Sequence, residues 1–95
     1  MQNEIMSVIE YALKERGIED MPAEYTVKIE DDKEAPPVIG GHPLDIFMTA
    51  YGIALHTLKD VDCYQKESEE PVFSVHDDAS VIEMNGELIW EVIPF

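Results

Sequence analysis

Ninety-five residues close one hydrophobic core, so the chain is expected to form a single compact acidic domain over 1–95. Apolar residues make up 45% of it and charged residues 28%, which excludes a wholly disordered chain. Acidic side chains number 21 against 6 lysines and arginines, and the resulting net charge of −15 repels phosphate, so direct binding of nucleic acid or of an anionic membrane surface is not expected.

No apolar run approaches the roughly eighteen residues of a membrane span, and the start of the chain lacks the basic flank, apolar stretch and small-residue cleavage site of a secretion signal. The expectation is a soluble, cytoplasmic protein. Cys63 is the single cysteine, so no internal disulfide can form, and its place in an alternating apolar stretch points to a buried thiol.

Within residues 3–16, Ile5, Val8, Ile9, Ala12 and Leu13 recur at the spacing of one helical face, which predicts an amphipathic helix. Asn3 suits its cap, Lys14 and Arg16 suit the negative end of its dipole, and Gly17 can take the left-handed conformation that stops it. Residues 24–30 then alternate, with Tyr25, Val27 and Ile29 on one side, the period of a half-buried strand. The stretch 31–37 is expected to be loop, and the Pro36-Pro37 and Gly40-Gly41 pairs leave little regular structure before Pro43, although Val38 and Ile39 can reach the core.

Pro43 fits the first turn of a second helix running to about residue 59. Leu44, Phe47, Met48, Tyr51, Leu55 and Leu58 form a stripe that Ile46, Ala50 and Ile53 widen, leaving only Asp45, Thr49, Gly52, His56 and Lys59 as a solvated strip. A helix so apolar is wedged between other elements or shared with a partner. Four alternating segments follow, at 61–66, 72–76, 80–84 and 87–93. Asn85-Gly86 is a strong hairpin signal, because both residues tolerate the positive φ angles of a type I′ turn. Its expected register sets Met84 opposite Glu87, Ile82 opposite Ile89 and Val81 opposite Trp90, which puts Trp90 on the same face as Val81, Glu83 and Leu88. The fold class is therefore α+β: two helices packed on one mainly antiparallel sheet of four to five strands, in the order helix, strand, helix and four strands.

His42, His56, Cys63 and His76 are separated in turn by fourteen, seven and thirteen positions, each on a different element. Zinc sites draw close ligand pairs from one segment, so no metal is expected. The acidic pairs Asp31-Asp32 and Asp77-Asp78 lack the ligand spacing of a calcium loop, and Gly40-Gly41 lacks the Lys and Ser/Thr of a phosphate-binding loop. A pairing of Cys63 with His56 or His76 has no activating neighbour in the sequence. The expectation is a protein without cofactor or catalytic residues.

Charge distribution carries the sharper signal. Beyond Lys66 no Lys or Arg occurs, while Glu67, Glu69, Glu70, Asp77, Asp78, Glu83, Glu87 and Glu91 contribute eight carboxylates. A net charge of −15 exceeds the magnitude of roughly 2–8 that keeps a small domain soluble. Alternate strand positions lie roughly 6.8 Å apart, so a strand of carboxylates can present charge at regular intervals, as a nucleic-acid backbone does. These eight residues, with Trp90 as an apolar anchor and Asp31, Asp32 and Glu34 as a second patch, are the candidate contacts to a basic, nucleic-acid-binding protein. The element order, size and acidity together resemble the DNA-mimicking phage inhibitors of uracil-DNA glycosylase. That resemblance lies in architecture; no functional position is transferred through it, and what it implies is a small anti-defence or nuclease-immunity inhibitor. An alternative is an oligomeric structural or adaptor subunit, a homodimer for instance, associating through the helix 43–59 with Phe47, Met48, Tyr51 and Ile53 in the interface.

Overall fold

The apolar face of the first helix, α1 (Gln2–Glu15), is buried at Ile5, Ile9, Ala12 and Leu13, and burial of that stripe holds the helix on the sheet. The computed structural model describes residues 2–18, 20–66, 68–76 and 79–92. The helix is already running at Gln2, so Asn3 lies inside its first turn and not at the cap expected for it. Its other end is as expected: Ile18 N–H donates to the Leu13 carbonyl at 3.1 Å and Gly17 N–H to the Lys14 carbonyl at 3.0 Å, with Gly17 at φ +68°. Those two bonds are the Schellman arrangement, and they turn the chain into the sheet.

Next come β1 (Ala23–Ile29), β2 (Val38–Gly41), α2 (Pro43–Thr57), β3 (Val61–Gln65), β4 (Phe73–His76), β5 (Val81–Met84) and β6 (Glu87–Glu91). The strands form one antiparallel sheet in the order β2-β1-β3-β4-β5-β6. The α+β class stands, but the sheet has six strands where four to five were expected, and the order gains a strand before the second helix. That strand is β2, which the Pro and Gly pairs had marked as loop. Edge strands tolerate such residues because one of their sides makes no ladder bonds. Val38 points away from the core and is exposed, while Ile39 packs against it.

Pro43 opens α2 as expected, behind an extended His42 whose side chain makes no capping bond. The helix ends at Thr57, two residues earlier than expected, because Leu58 turns left-handed at φ 59° and its N–H closes on the Ala54 carbonyl at 2.9 Å. Pro43, Ile46, Phe47, Ala50 and Ala54 are its buried residues. Asp45, Thr49, Gly52, His56 and Lys59 are exposed, as the solvated strip required, but so are Met48, Leu55 and Leu58.

The β5–β6 hairpin turns at Asn85-Gly86, with φ 52° and 82°. Met84 faces Glu87 and Glu83 faces Leu88, but a bulge between Ile82 and Glu83 then shifts the pairing, so Ile82 faces Trp90 and Val81 faces Glu91. The expected pairs Ile82–Ile89 and Val81–Trp90 are thereby corrected. One extra residue on β6 moves Trp90 to the core side, where it packs against the buried cluster, and moves Glu91 to the opposite side.

Both helices lie on the sheet face that carries Tyr25, Val27, Val61, Cys63, Phe73, Val75, Ile82 and Met84, all buried. Phe73 is central to it: its ring centroid lies 5.9 Å from that of Phe47 on α2, edge to face, and 6.1 Å from that of Tyr25 on β1. Among the described residues no helix is long and apolar enough to cross a membrane. Truncating a fully buried aromatic costs about 3–5 kcal/mol, through lost transfer energy and the cavity left behind. Phe73→Ala is expected to lower the urea unfolding free energy by that amount, whereas Val38→Ala on the exposed edge changes it by less than about 0.5 kcal/mol; equal effects at the two positions would contradict this core.

Candidate functional site

With both helices on one face, the other face of the sheet carries no described helix or strand. The pairing register arranges its side chains in rows across the strands, since residues opposite one another in a ladder project to the same side. One row reads Lys28, Asp62, Ser74, Glu83 and Leu88; beside it run His76, Val81 and Glu91, with Asp60 just ahead of β3. Neighbouring strands are spaced about 4.8 Å apart, so these rows form a ribbon of carboxylates across β3 to β6. Leu88 is 57% exposed at the outer end of the ribbon, whereas Ser74 at its middle is only 6% exposed.

His76 sits at the centre of the ribbon between two carboxylates. Its Nδ1 lies 3.1 Å from Asp60 Oδ2 and its Nε2 lies 2.9 Å from Glu83 Oε1. A neutral imidazole has one N–H, so both contacts are hydrogen bonds at the same time only when the ring is protonated and donates from both nitrogens. Partial burial by itself lowers the pKa of the ring. The hydrogen bond to Asp60 and the negative charges of Asp60, Asp62 and Glu83 outweigh it, and the pKa lies above its ordinary value. The ion pairs tie the approach to β3, strand β4 and strand β5 together on the open side. At the other end of this face, Lys28 Nζ stacks 4.7 Å above the Tyr64 ring. Lys66 and Glu69 line the same shallow hollow, so the acidic character belongs to the β3–β6 part of the face.

The expected contact residues do not form one strip. Glu83 and Glu91 lie on the open face. Glu87 is on the opposite side, where the Arg16 Nη2 donates to its Oε2 at 2.7 Å, so Glu83, Glu87 and Glu91 do not present charge at regular intervals along one face. Trp90 is no surface anchor: it is half-buried against the core, with its indole Nε1 enclosed and without a hydrogen-bond partner among the described residues. The exposed apolar position beside the carboxylates is Leu88. Glu69 and Glu70 are exposed in the β3–β4 link, at the end of the sheet away from Asp60 and His76. Asp31, Asp32 and Glu34 are exposed in the β1–β2 link, where Glu34 N–H donates to Asp32 Oδ1 at 2.9 Å; they share a sheet end with Glu91 but stand four strands away. Glu67, Asp77 and Asp78 lie outside the described residues.

The alternative interface is redrawn as well. Phe47 is fully buried and Tyr51 and Ile53 are half-buried against the core, so of the four expected residues only Met48 is a surface position. Cys63 faces the core from β3, and burial first, then the nearby Asp62 charge, pushes its thiol up to about 12. His76 projects from the opposite side of the sheet and His56 is exposed on α2, so neither meets Cys63 as a nucleophile and base would. Among the described residues no group of three or more His, Cys, Asp and Glu side chains is placed to hold a metal ion. Asp60, Asp62 and the double pairing of His76 were missed from the sequence. Nothing local in the sequence reveals which strands are neighbours.

Because the pKa of His76 is raised on folding, its contribution to stability is complete below its unfolded value near 6.5 and is lost as pH rises through the higher folded value. The native protein is therefore expected to exceed His76→Gln in Tm by a few degrees at pH 6, and the gap is expected to close by pH 9. A gap unchanged over that range would show that the two ion pairs are not formed. No family model, curated protein or solved structure matches this chain.

Proposed function

We propose that this protein is a non-enzymatic, inhibitor-type binding protein whose open sheet face seats against the basic, nucleic-acid-binding surface of another protein. The observation that carries this reading is the ribbon of Asp60, Asp62, Glu83 and Glu91 on a sheet face free of described helices, with Val81 and exposed Leu88 among the charges. Carboxylates draw a cationic surface in and set its orientation, while half-buried Val81 and exposed Leu88 offer apolar area to the contact. A basic groove built for phosphates offers both the charge and the concavity that an acidic sheet face can enter.

The total charge supports the same reading. At −15 the chain repels itself, and the excess has a use if it raises the rate of encounter with a cation-rich partner. The carboxylates are spread across strands and are not strung along one, so mimicry of a nucleic acid here means matching a field and a width, not copying a phosphate repeat. Within the ribbon His76, when protonated, offsets part of the charge, and Asp62 and Glu91 are the carboxylates outside its two ion pairs.

Asp62 and Glu91 can therefore be changed while both ion pairs of His76 stay in place. The test is capture from nuclease-treated lysate on immobilised protein, followed by a salt gradient and mass spectrometry. A nucleic-acid-binding protein is expected to elute as the screening length falls from about 10 Å at 0.1 M salt toward about 3 Å at 1 M. Asp62→Asn combined with Glu91→Lys is expected to abolish its capture, with the circular dichroism spectrum unchanged. Partners that resist salt, or that the double variant still retains, would overturn the proposal.

A further inference from the structure

We infer that a proton on His76 gates the open face: the protonated ring engages two of the ribbon's carboxylates, and a cation-rich partner binds them in exchange for that proton. The inference rests on the reading of this face as the contact surface and names what regulates it. Asp60 Oδ2 lies 3.1 Å from one ring nitrogen and Glu83 Oε1 lies 2.9 Å from the other. An imidazolium so placed is an internal cation, standing where a lysine or arginine of a partner would stand. Neutral imidazole has a single N–H, so it donates to one carboxylate and turns a lone pair to the other. Loss of the proton therefore removes a positive charge from the middle of the ribbon and sets one carboxylate against a lone pair. The ring side chain is 27% exposed and both carboxylates are partly exposed, so a partner reaches all three.

The charges around His76 make its proton responsive to an arriving cation. Asp60 at the approach to β3, Asp62 on β3 and Glu83 on β5 act on it most strongly. Glu91 stands one strand further across Val81, and Glu30, just after β1, donates its N–H to the Asp60 carbonyl at 2.9 Å. Lys28 lies opposite Asp62, and Lys59 precedes Asp60 in the chain. Both helices pack on the other side of the sheet and bring no charge to this one. Asp77 and Asp78 lie outside the described residues. The balance is negative and favours the protonated ring, which holds its charge above the ordinary imidazole value of 6.5. Cations of a partner set among the same carboxylates cancel that field, so binding drives the proton off. By linkage, affinity rises as pH rises through the folded pKa of the ring. Stability changes in the opposite direction, because the same proton strengthens the free sheet. A merely structural histidine would not reverse that sign.

Hexa-arginine with blocked ends is the probe, since arginine stays charged at every pH used. Isothermal titration calorimetry of the full chain at low ionic strength is expected to show affinity rising roughly three- to tenfold from pH 6 to pH 9. Near neutral pH the native protein is expected to release up to one proton per peptide bound, read from how the heat varies with the ionisation enthalpy of the buffer. His76→Gln is expected to bind more tightly than the native protein at pH 6 and to lose most of the rise, with circular dichroism unchanged. His76→Lys, which keeps a cation between the carboxylates, is expected to bind weakly at both pH values. An unchanged pH dependence in His76→Gln, or no proton release by the native protein, would overturn the inference and leave the contact face standing. Binding that ignores Asp62→Asn with Glu91→Lys, or no binding at all, would overturn the reading of the face and this inference with it.

Discussion

The structure depends on one constraint: no carboxylate can be buried unpaired. Moving an isolated charge out of water costs more than a small domain can spare, so acidic side chains settle where water or a cation reaches them. Among the described residues every acidic side chain is exposed or half-buried, and Ser74 is the one buried polar residue. With 21 acidic residues in 95, this condition leaves room for only one dry layer. Both helices therefore share one face of the sheet, and the other face is left to the charges.

That division explains the energetics on each side. The covered face is held by aromatic packing among Tyr25, Phe47 and Phe73 and by the apolar alternation of the strands. The open face has no such cement, and like charges on neighbouring strands would push them apart. His76 answers this locally by standing between Asp60 and Glu83, converting a repulsive cluster into two ion pairs. Arg16 does similar work on the covered side, joining the end of α1 to Glu87 on the edge strand. The Asp60–His76 and Arg16–Glu87 pairs join side chains far apart in sequence and are features of the assembled sheet.

The two uncommitted surfaces have opposite characters and lie on opposite sides of the molecule. One is acidic, with exposed Leu88 at its outer edge; the other is an uncharged groove between helices.

What the sequence alone determined is what local periodicity and local backbone chemistry control. The helical stripe of α1 and its stop at Gly17, the start of α2 at Pro43, the turn at Asn85-Gly86 and the buried thiol of Cys63 were all legible, because each depends on residues within a few positions of one another. Tertiary structure decided the rest. Strand β2 exists because β1 offers it an edge to pair with, which Gly40-Gly41 and Pro36-Pro37 could not announce. A single bulge turned Trp90 inward and Glu91 outward, reversing the expected faces beyond it, because a strand's side chains alternate and one inserted residue inverts all that follow. The ribbon of Asp62, His76, Glu83 and Glu91 is likewise a product of strand neighbourhood, which is set by long-range pairing and is invisible to any pattern that runs along the chain.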